Sequence, residues 1–259
     1  MDSKKTHPIL TIITIVRDDP TGLTRTLNSF DKTDLDQIEV LIIDSSALQK
    51  NTQNITEGLL PPATFSWTPP RGIFNAMNTG LAMANGDYIW FINAGDELTS
   101  PIALESVLNA LTFRPNWLFG QVEFTRNGES GITPPPFDYE KEKQRRFSQG
   151  RFPPHQGTIV RTQLARELGG FDETYAIAAD YHLMLKLSEQ ATPTEITNTI
   201  ARFWTGGTSS KNWRQAIREF HRARIHALEL NSFARIVNNA QSAMQFLRMA
   251  AGRIMGRDG

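Results

Sequence analysis

The chain has 259 residues, 39% apolar and 21% charged, with 18 glycines and 14 prolines, an ordinary globular composition that excludes disorder and collagen-like repeats. It has no cysteine, which removes disulfide scaffolds, thiolate metal sites and cysteine nucleophiles together. Its net charge of zero hides a balance of −6 over residues 1–210 and +6 over residues 211–259, so two regions with different tasks are expected.

Residues 9–16 are apolar apart from Thr11 and Thr14, far short of the roughly 20 residues a spanning helix needs. They run into Arg17-Asp18-Asp19-Pro20 rather than a small-residue cleavage site, which argues against a secretory signal and places the chain in the cytosol. Residues 9–16 and 37–43 are short and β-branched and are predicted as buried parallel strands. Between them Leu23, Leu27 and Phe30 fall at helical spacing behind Pro20, a residue suited to a first helical position. Ile73, Met77, Leu81 and Ala84 form a second helical stripe that stops at Asn85-Gly86. A strand over 88–92 ends at Asn93-Ala94-Gly95-Asp96, a helix begins near Ser100-Pro101, and 117–124 reads as a further strand. Residues 132–154, with five prolines and a charged run from Glu140 to Arg146, read as a long loop. Beyond it come a strand over 157–160, a short helix over 162–168 closed by Gly169-Gly170, a helix over 180–188, and a helical tail from about Asn212. The pattern is that of an α/β fold with a mostly parallel central sheet flanked by helices and a C-terminal helical extension.

In open α/β sheets ligands bind at the carboxyl ends of the strands. Those ends deliver Arg17, Asp18 and Asp19, then Asp44, Ser45 and Ser46, then Asn93, Gly95, Asp96 and Glu97. Polar residues after strands also occur simply because loops are wet, but three such ends on one edge point to a site. Neither G-x-G-x-x-G nor G-x-x-x-x-G-K-[ST] occurs, so no dinucleotide cleft or P-loop is indicated, and no Ser sits in a G-x-S-x-G elbow. A diphosphate would then depend on a divalent cation held by carboxylate oxygen, with Asp96 the natural ligand and Arg71 a fixed positive charge near a helix start.

Pro69-Pro70-Arg71-Gly72-Ile73-Phe74-Asn75-Ala76-Met77-Asn78-Thr79-Gly80, followed by Ala84-Asn85-Gly86-Asp87-Tyr88 and Phe91-Ile92-Asn93-Ala94-Gly95-Asp96, resembles the nucleotide-sugar half of family 2 glycosyltransferases, in particular the bacterial exopolysaccharide branch of colanic-acid type. Pro154-His155-Gln156, Gly169-Gly170-Phe171-Asp172, Ala179-Asp180-Tyr181 and Gly206-Gly207-Thr208-Ser209 follow in that branch's order. The resemblance covers about residues 8–212. It implies a GT-A fold over 1–210, with a nucleotide-sugar half at about 8–125 and an acceptor half at about 150–210. It further implies a nucleoside-diphosphate sugar donor such as a UDP- or GDP-sugar, Mg²⁺ or Mn²⁺, and an inverting hexosyl transfer to a glycan or lipid-linked acceptor. By position it makes Asp44, with Val16 and Arg17, contact the nucleobase or ribose and places Arg71 beside the nucleotide. Asn93 and Asp96 fall on the metal motif, and Asp180 on the catalytic base. Where relatives often carry further carboxylates this chain has Pro70 and Asn75, and Asp44 is followed by Ser45-Ser46-Ala47 rather than a glycine-rich run.

Asp180 also fits a helix N-cap. His155 and Gln156 are candidates for the acceptor side, as against a packed histidine and its neighbour, and Thr208 and Ser209 for a lid over the diphosphate, as against a linker. His182 is expected at the surface or behind the site, and Trp67, Trp90 and Trp117 in the core. A sugar nucleotidyltransferase and a non-catalytic relative acting as a scaffold remain as alternatives. In the tail, Phe233, Ile236, Val237, Ala240, Met244, Leu247, Ala251 and Ile254 form an apolar stripe beside Arg235, Arg248, Arg253 and Arg257. That stripe suits packing on the domain, a homodimer, or an anionic membrane surface on the inner face of the plasma membrane. Nucleic acid is disfavoured by the acidic balance of residues 1–210.

Overall fold

The computed structural model describes residues 7–30, 37–48, 50–56, 63–126, 129–132, 137–145, 147, 151–204, 212–228 and 230–254. The chain divides into two compact units, one of residues 1–137, 154–171 and 191–205, the other of 138–153, 172–190 and 206–259.

Among its described residues the first unit carries a nine-stranded sheet. Its strands are β1 (Leu10–Val16), β2 (Ile38–Asp44), β3 (Thr64–Trp67), β4 (Tyr88–Phe91), β5 (Glu97–Leu98), β6 (Trp117–Arg126), β7 (Glu129–Ile132), β8 (Thr158–Arg161) and β9 (Thr194–Trp204). They lie in the order β3-β2-β1-β4-β8-β6-β9-β5, with β7 on β6. The half β3-β2-β1-β4 is parallel throughout. It turns antiparallel at β8, and β6 and β9 are parallel again. Every residue of β1 is buried, as a strand covered by helices on both faces requires. Register sets Val16 beside Asp44 and Asp44 beside Trp67, so β1, β2 and β3 end level with one another.

Helices α1 (Pro20–Asn28), α2 (Lys50–Thr56), α3 (Ile73–Met83), α4 (Pro101–Leu111) and α6 (Thr162–Glu167) belong to this unit. Asp19 caps α1 by accepting from Gly22 N at 2.8 Å, and Ser100 caps α4 ahead of Pro101. One core cluster joins Leu10 and Ile12 of β1, Leu23 and Leu27 of α1, Trp90 of β4, and Leu104 and Val107 of α4. On the opposite face α3 approaches the sheet at Gly80, where an added Cβ would stand 2.5 Å from Ile13 Cγ2. Only glycine allows that approach. The turn over Gly169 and Gly170 docks on α3 through Asn78, whose Nδ2 donates to Phe171 O and whose Oδ1 accepts from Phe171 N, at 2.8 and 2.9 Å.

The second unit is helical: α5 (Tyr139–Gln144), α7 (Ala179–Gln190), α8 (Trp213–Ala227) and α9 (Ser232–Ile254). The proline-rich stretch expected as loop therefore contains a helix, started by Asp138, which accepts from Lys141 N at 3.0 Å. An aromatic cluster around Tyr181 takes in Phe152 and Phe220 at ring distances of 5.0 and 4.9 Å. Arg224 is buried among uncharged groups: Nε donates to Asn238 Oδ1 at 2.5 Å, and the two terminal nitrogens to Tyr181 Oη and Ser242 Oγ at 3.2 and 2.7 Å.

Candidate active site

Three strand ends and one helix start in the first unit enclose a cleft of about 300 Å³. Val16, Arg17 and Asp19 reach it from the end of β1, Ser45 from β2, and Asn93 and Ala94 from β4. Pro70, Gly72 and Ile73 close it at the start of α3, whose first N–H groups have no side-chain cap and so offer a place for an anion. The ladder of β4 continues past the strand, Ile92 N donating to Ile13 O and Ala94 N to Ile15 O at 3.1 and 3.0 Å. Asn93 is thereby held level with the end of β1. A larger hollow of about 680 Å³ is lined by Arg25, Glu97 and Arg202. Its charges already serve one another: Arg202 pairs with Glu97 and Glu123, and Arg25 lies over the Trp204 ring.

The loops after β1 and β2 are tied together. Asp18 N donates to Ser46 Oγ at 2.6 Å and Ala47 N donates back to Asp18 Oδ1 at 2.9 Å. Asp18 holds φ +53°, a left-handed conformation that short polar residues tolerate and that these bonds fix. Asp44 is fully buried, accepting from Ser46 N at 2.8 Å and Thr52 Oγ1 at 2.6 Å. Its carboxylate braces the loop that presents Ser45, and Asp44 is not among the residues lining the cleft. Arg71 is exposed just before α3. Trp67, expected in the core with Trp90 and Trp117, is 42% exposed at the end of β3, its indole N–H donating to Ser46 O at 3.1 Å.

Four of the expected residues come together beside the cleft. Asn93 Nδ2 lies 3.2 Å from His155 Nε2, while Asn93 Oδ1 is buried without a hydrogen-bond partner among the described residues, as is Ser45 Oγ. Two orphaned polar atoms on residues lining one cleft are costly unless a ligand completes them. Asp96, 5% exposed, is like Asp44 not among the residues lining the cleft, and it is tied to Asn93 by its own N–H, which donates to Asn93 O at 2.9 Å. Burial pushes its carboxyl up to about 6, against the His155 charge, the Gln156 side chain and the Trp204 backbone N–H, which pull it down. His155 and Gln156 lie in a 3₁₀ turn (His155–Gly157) ahead of β8, pinned by Trp90 Nε1 donating to Gln156 O at 2.6 Å.

Among the described residues no three His, Asp or Glu side chains gather as a metal cage. The donor set here is one carboxylate, Asp96, and the orphaned amide oxygen of Asn93. That fits a Mg²⁺-like ion, which keeps one or two protein ligands and takes the rest from water and substrate phosphate.

In the second unit Asp180 is the second residue of α7, not its N-cap, and its Oδ1 accepts from Tyr181 N at 2.7 Å. The N–H groups ahead of the helix are taken by Glu219 of α8, whose carboxylate accepts from Ala176, Ile177 and Ala178 at 3.2, 2.8 and 3.0 Å. Burial alone would raise the Glu219 pKa, but these donations together with that of Gln215 hold it below the usual carboxylate value. His182 is buried rather than at the surface, with Nδ1 unpartnered. Desolvation, with Lys186 adding to it, pushes it down to about 4. Thr208 and Ser209 lie outside the described residues. Sequence reasoning missed Glu219 and the Arg25–Trp204–Glu97 group, because no spacing signal links residues so far apart along the chain.

The cleft lies over the carboxyl edge of a parallel half-sheet, with an uncapped helix start beside it, in an α/β fold of GT-A type. The model of glycosyl transferase family 2 matches residues 11–169, and the chain belongs to that family. It is 28% identical over 218 residues, 81% of this chain and 80% of the relative, to the uncharacterized glycosyltransferase Rv1514c of Mycobacterium tuberculosis. Its fold is similar to that of S. aureus TarS 1-349 in complex with UDP-GlcNAc, with a TM-score of 0.67, 17% identity, and 92% of this chain and 71% of that one covered. It is also similar to the mannosyltransferase PcManGT from Pyrobaculum calidifontis in complex with GDP-Man and Mn²⁺, with a TM-score of 0.64, 17% identity, and coverages of 96% and 76%.

Proposed function

We propose that the protein is an inverting, metal-assisted hexosyltransferase that takes a sugar from a UDP- or GDP-sugar and adds it to a glycan or lipid-linked acceptor in bacterial surface or exopolysaccharide synthesis. In this reading residues 1–210 are the catalytic part and residues 211–259 an appended segment that docks on the inner face of the membrane, with a homodimer as the competing use of that segment. The observation that carries the proposal is the cleft of the first unit, where the buried, unpartnered oxygens of Asn93 and Ser45 stand beside the uncapped start of α3. The donors held by TarS and PcManGT, UDP-GlcNAc and GDP-Man, support the class of substrate.

The base and ribose enter between the ends of β1 and β2, with Ser45 donating and Arg17 flanking. The diphosphate meets the N–H groups opening α3 and the charge of Arg71. Asp96 and Asn93 would hold Mg²⁺ or Mn²⁺, which when bound neutralises the departing diphosphate. The acceptor hydroxyl then attacks the anomeric carbon on the face opposite the diphosphate and loses its proton to Asp180, so configuration inverts in one displacement.

Thermal unfolding with UDP, GDP and their sugars, each with and without Mg²⁺ or Mn²⁺, tests this. A ligand that binds only the native state raises the melting temperature by mass action, and one nucleoside diphosphate should stand out and depend on metal. No shift with any of them, together with no sugar transfer, overturns the proposal. A shift with no turnover on any acceptor assigns the chain to the scaffold alternative.

A further inference from the structure

We infer that the groove between α5 and α9 is a binding site for the phosphate headgroup of an anionic membrane lipid, with the outer face of α9 resting in the bilayer interface. The inference deepens the membrane part of the proposed function and rests on that part alone. It uses only residues of the second unit.

The first observation is that α9 is mounted inside out. Its packing face is mostly small and polar: Ala234, Asn238 and Ser242 are buried, the last two bind Arg224 and His221, and one aromatic contact joins them, Phe246 on Trp213 at 5.3 Å. Its apolar stripe points the other way, with Phe233 73%, Ile236 65%, Met244 52% and Leu247 67% exposed. A soluble helix buries such a stripe, and among the described residues nothing covers it, which leaves the stripe open to a partner.

The second observation selects the occupant. Part of the stripe, Ile236 and Met244, joins Val237 and Ala240 as one wall of a groove of about 610 Å³. Arg145, Arg151 and Arg248 converge on it, against a single carboxylate, Glu142. Glu142 lies 3.6 Å from Arg145 and 3.4 Å from Arg151, which leaves the groove with excess positive charge and several guanidinium N–H groups facing water. An apolar wall with a cationic rim complements an amphiphile whose head is a phosphate and whose tail is hydrocarbon. A second copy of this chain would bring the same basic rim against itself, which disfavours a dimer through this face.

The test is sedimentation of the full chain with phosphatidylcholine vesicles, alone or with phosphatidylglycerol, at low and high salt. Wild type should bind only the anionic vesicles and release at high salt. Removing three basic side chains, Arg145→Ala, Arg151→Ala and Arg248→Ala together, should lower partitioning by about 10- to 100-fold, since each basic group near such a surface adds roughly a tenfold or smaller factor. Ile236→Ser with Met244→Ser should also release the protein, and Arg248→Glu, one exposed position, should weaken binding without touching the fold. The donor-induced thermal shift should persist in every variant, which separates failure of the lipid site from failure of the transferase reading. Indifference of wild type to anionic vesicles, equal binding to neutral vesicles, or undiminished binding by the triple variant overturns the inference. So does a wild-type dimer in solution that Ile236→Ser and Met244→Ser convert to monomer.

Discussion

At the scale of single residues, two carboxylates face opposite demands. Asp96 is held where ionisation is disfavoured, with its carboxyl pushed up to about 6, yet only the ionised form serves a cation. Its folded value lies above its unfolded one, so its contribution to stability is present in full below about pH 4 and is lost as pH rises through 6. Asp96→Asn should therefore be more stable than wild type above pH 6, by up to about 3 kcal/mol, and match it near pH 4. The same variant should lose metal-dependent transfer, and wild-type turnover should fall as pH drops below 6. A melting curve of Asp96→Asn that tracks wild type at every pH would show that the site imposes no such conflict. Asp180, one residue inside α7, has a different burden: Asp180→Asn keeps the shape and the contact with Tyr181 N in altered form but cannot take a proton. Its kcat should fall by about 10²- to 10⁴-fold with donor affinity nearly unchanged. Turnover within a few-fold of wild type would leave Asp180 a helix-start residue only.

Among the elements, α7 depends on a group supplied by another helix. Glu219 satisfies three backbone N–H groups ahead of α7, as a capping side chain would, but from α8. Its lowered pKa means the stabilisation is present above the unfolded value near 4.5 and is lost as pH falls through the folded value. Glu219→Ala should destabilise the protein by about 2–4 kcal/mol in urea titrations at neutral pH, and Glu219→Gln by less, because one oxygen still accepts. Equal stability of all three proteins would remove Glu219 from this role. The elements legible in the sequence were those whose reason is local: β1, β2 and β4 from short apolar, β-branched or aromatic runs, α1 from helical spacing behind Pro20, α4 from Ser100-Pro101, the end of α3 from Asn85-Gly86. Those that were not legible owe their form to distant partners. β9 is half exposed and pairs with β6 through two register shifts, so its alternation is broken. β3 is exposed at both ends and has no buried face to announce it. In the candidate site, Asn93 and Asp96 were legible from a strand end and His155 and Gln156 from the turn after Pro153-Pro154, but that burial would raise Asp96, or that Asp44 would brace a loop, depended on groups brought in by the fold.

For the whole molecule, no helix among the described residues is long and apolar enough to cross a membrane, and the charge is zero at pH 7 with a pI of about 7.0. Zero net charge with −6 and +6 on separate stretches of one chain favours attraction between molecules at low ionic strength. Light scattering at neutral pH should show self-association that weakens as salt shortens the Debye length from about 30 Å at 0.01 M to about 8 Å at 0.15 M. Association that strengthens with salt would point to the apolar stripe of α9 instead. That helix carries one more consequence. Because Arg224, Asn238 and Ser242 hold it by hydrogen bonds while much of its apolar side already faces outward, the new hydrocarbon exposed on lifting it away would centre on one contact, Phe246 on Trp213. The heat capacity of unfolding scales with apolar area exposed, so detachment of α9 would be nearly silent in calorimetry and visible in hydrogen exchange. Asn238 and Ser242 also cannot be exchanged for apolar residues of like size without stranding a guanidinium, so the face of this helix that is hidden from view is the one least free to drift in sequence.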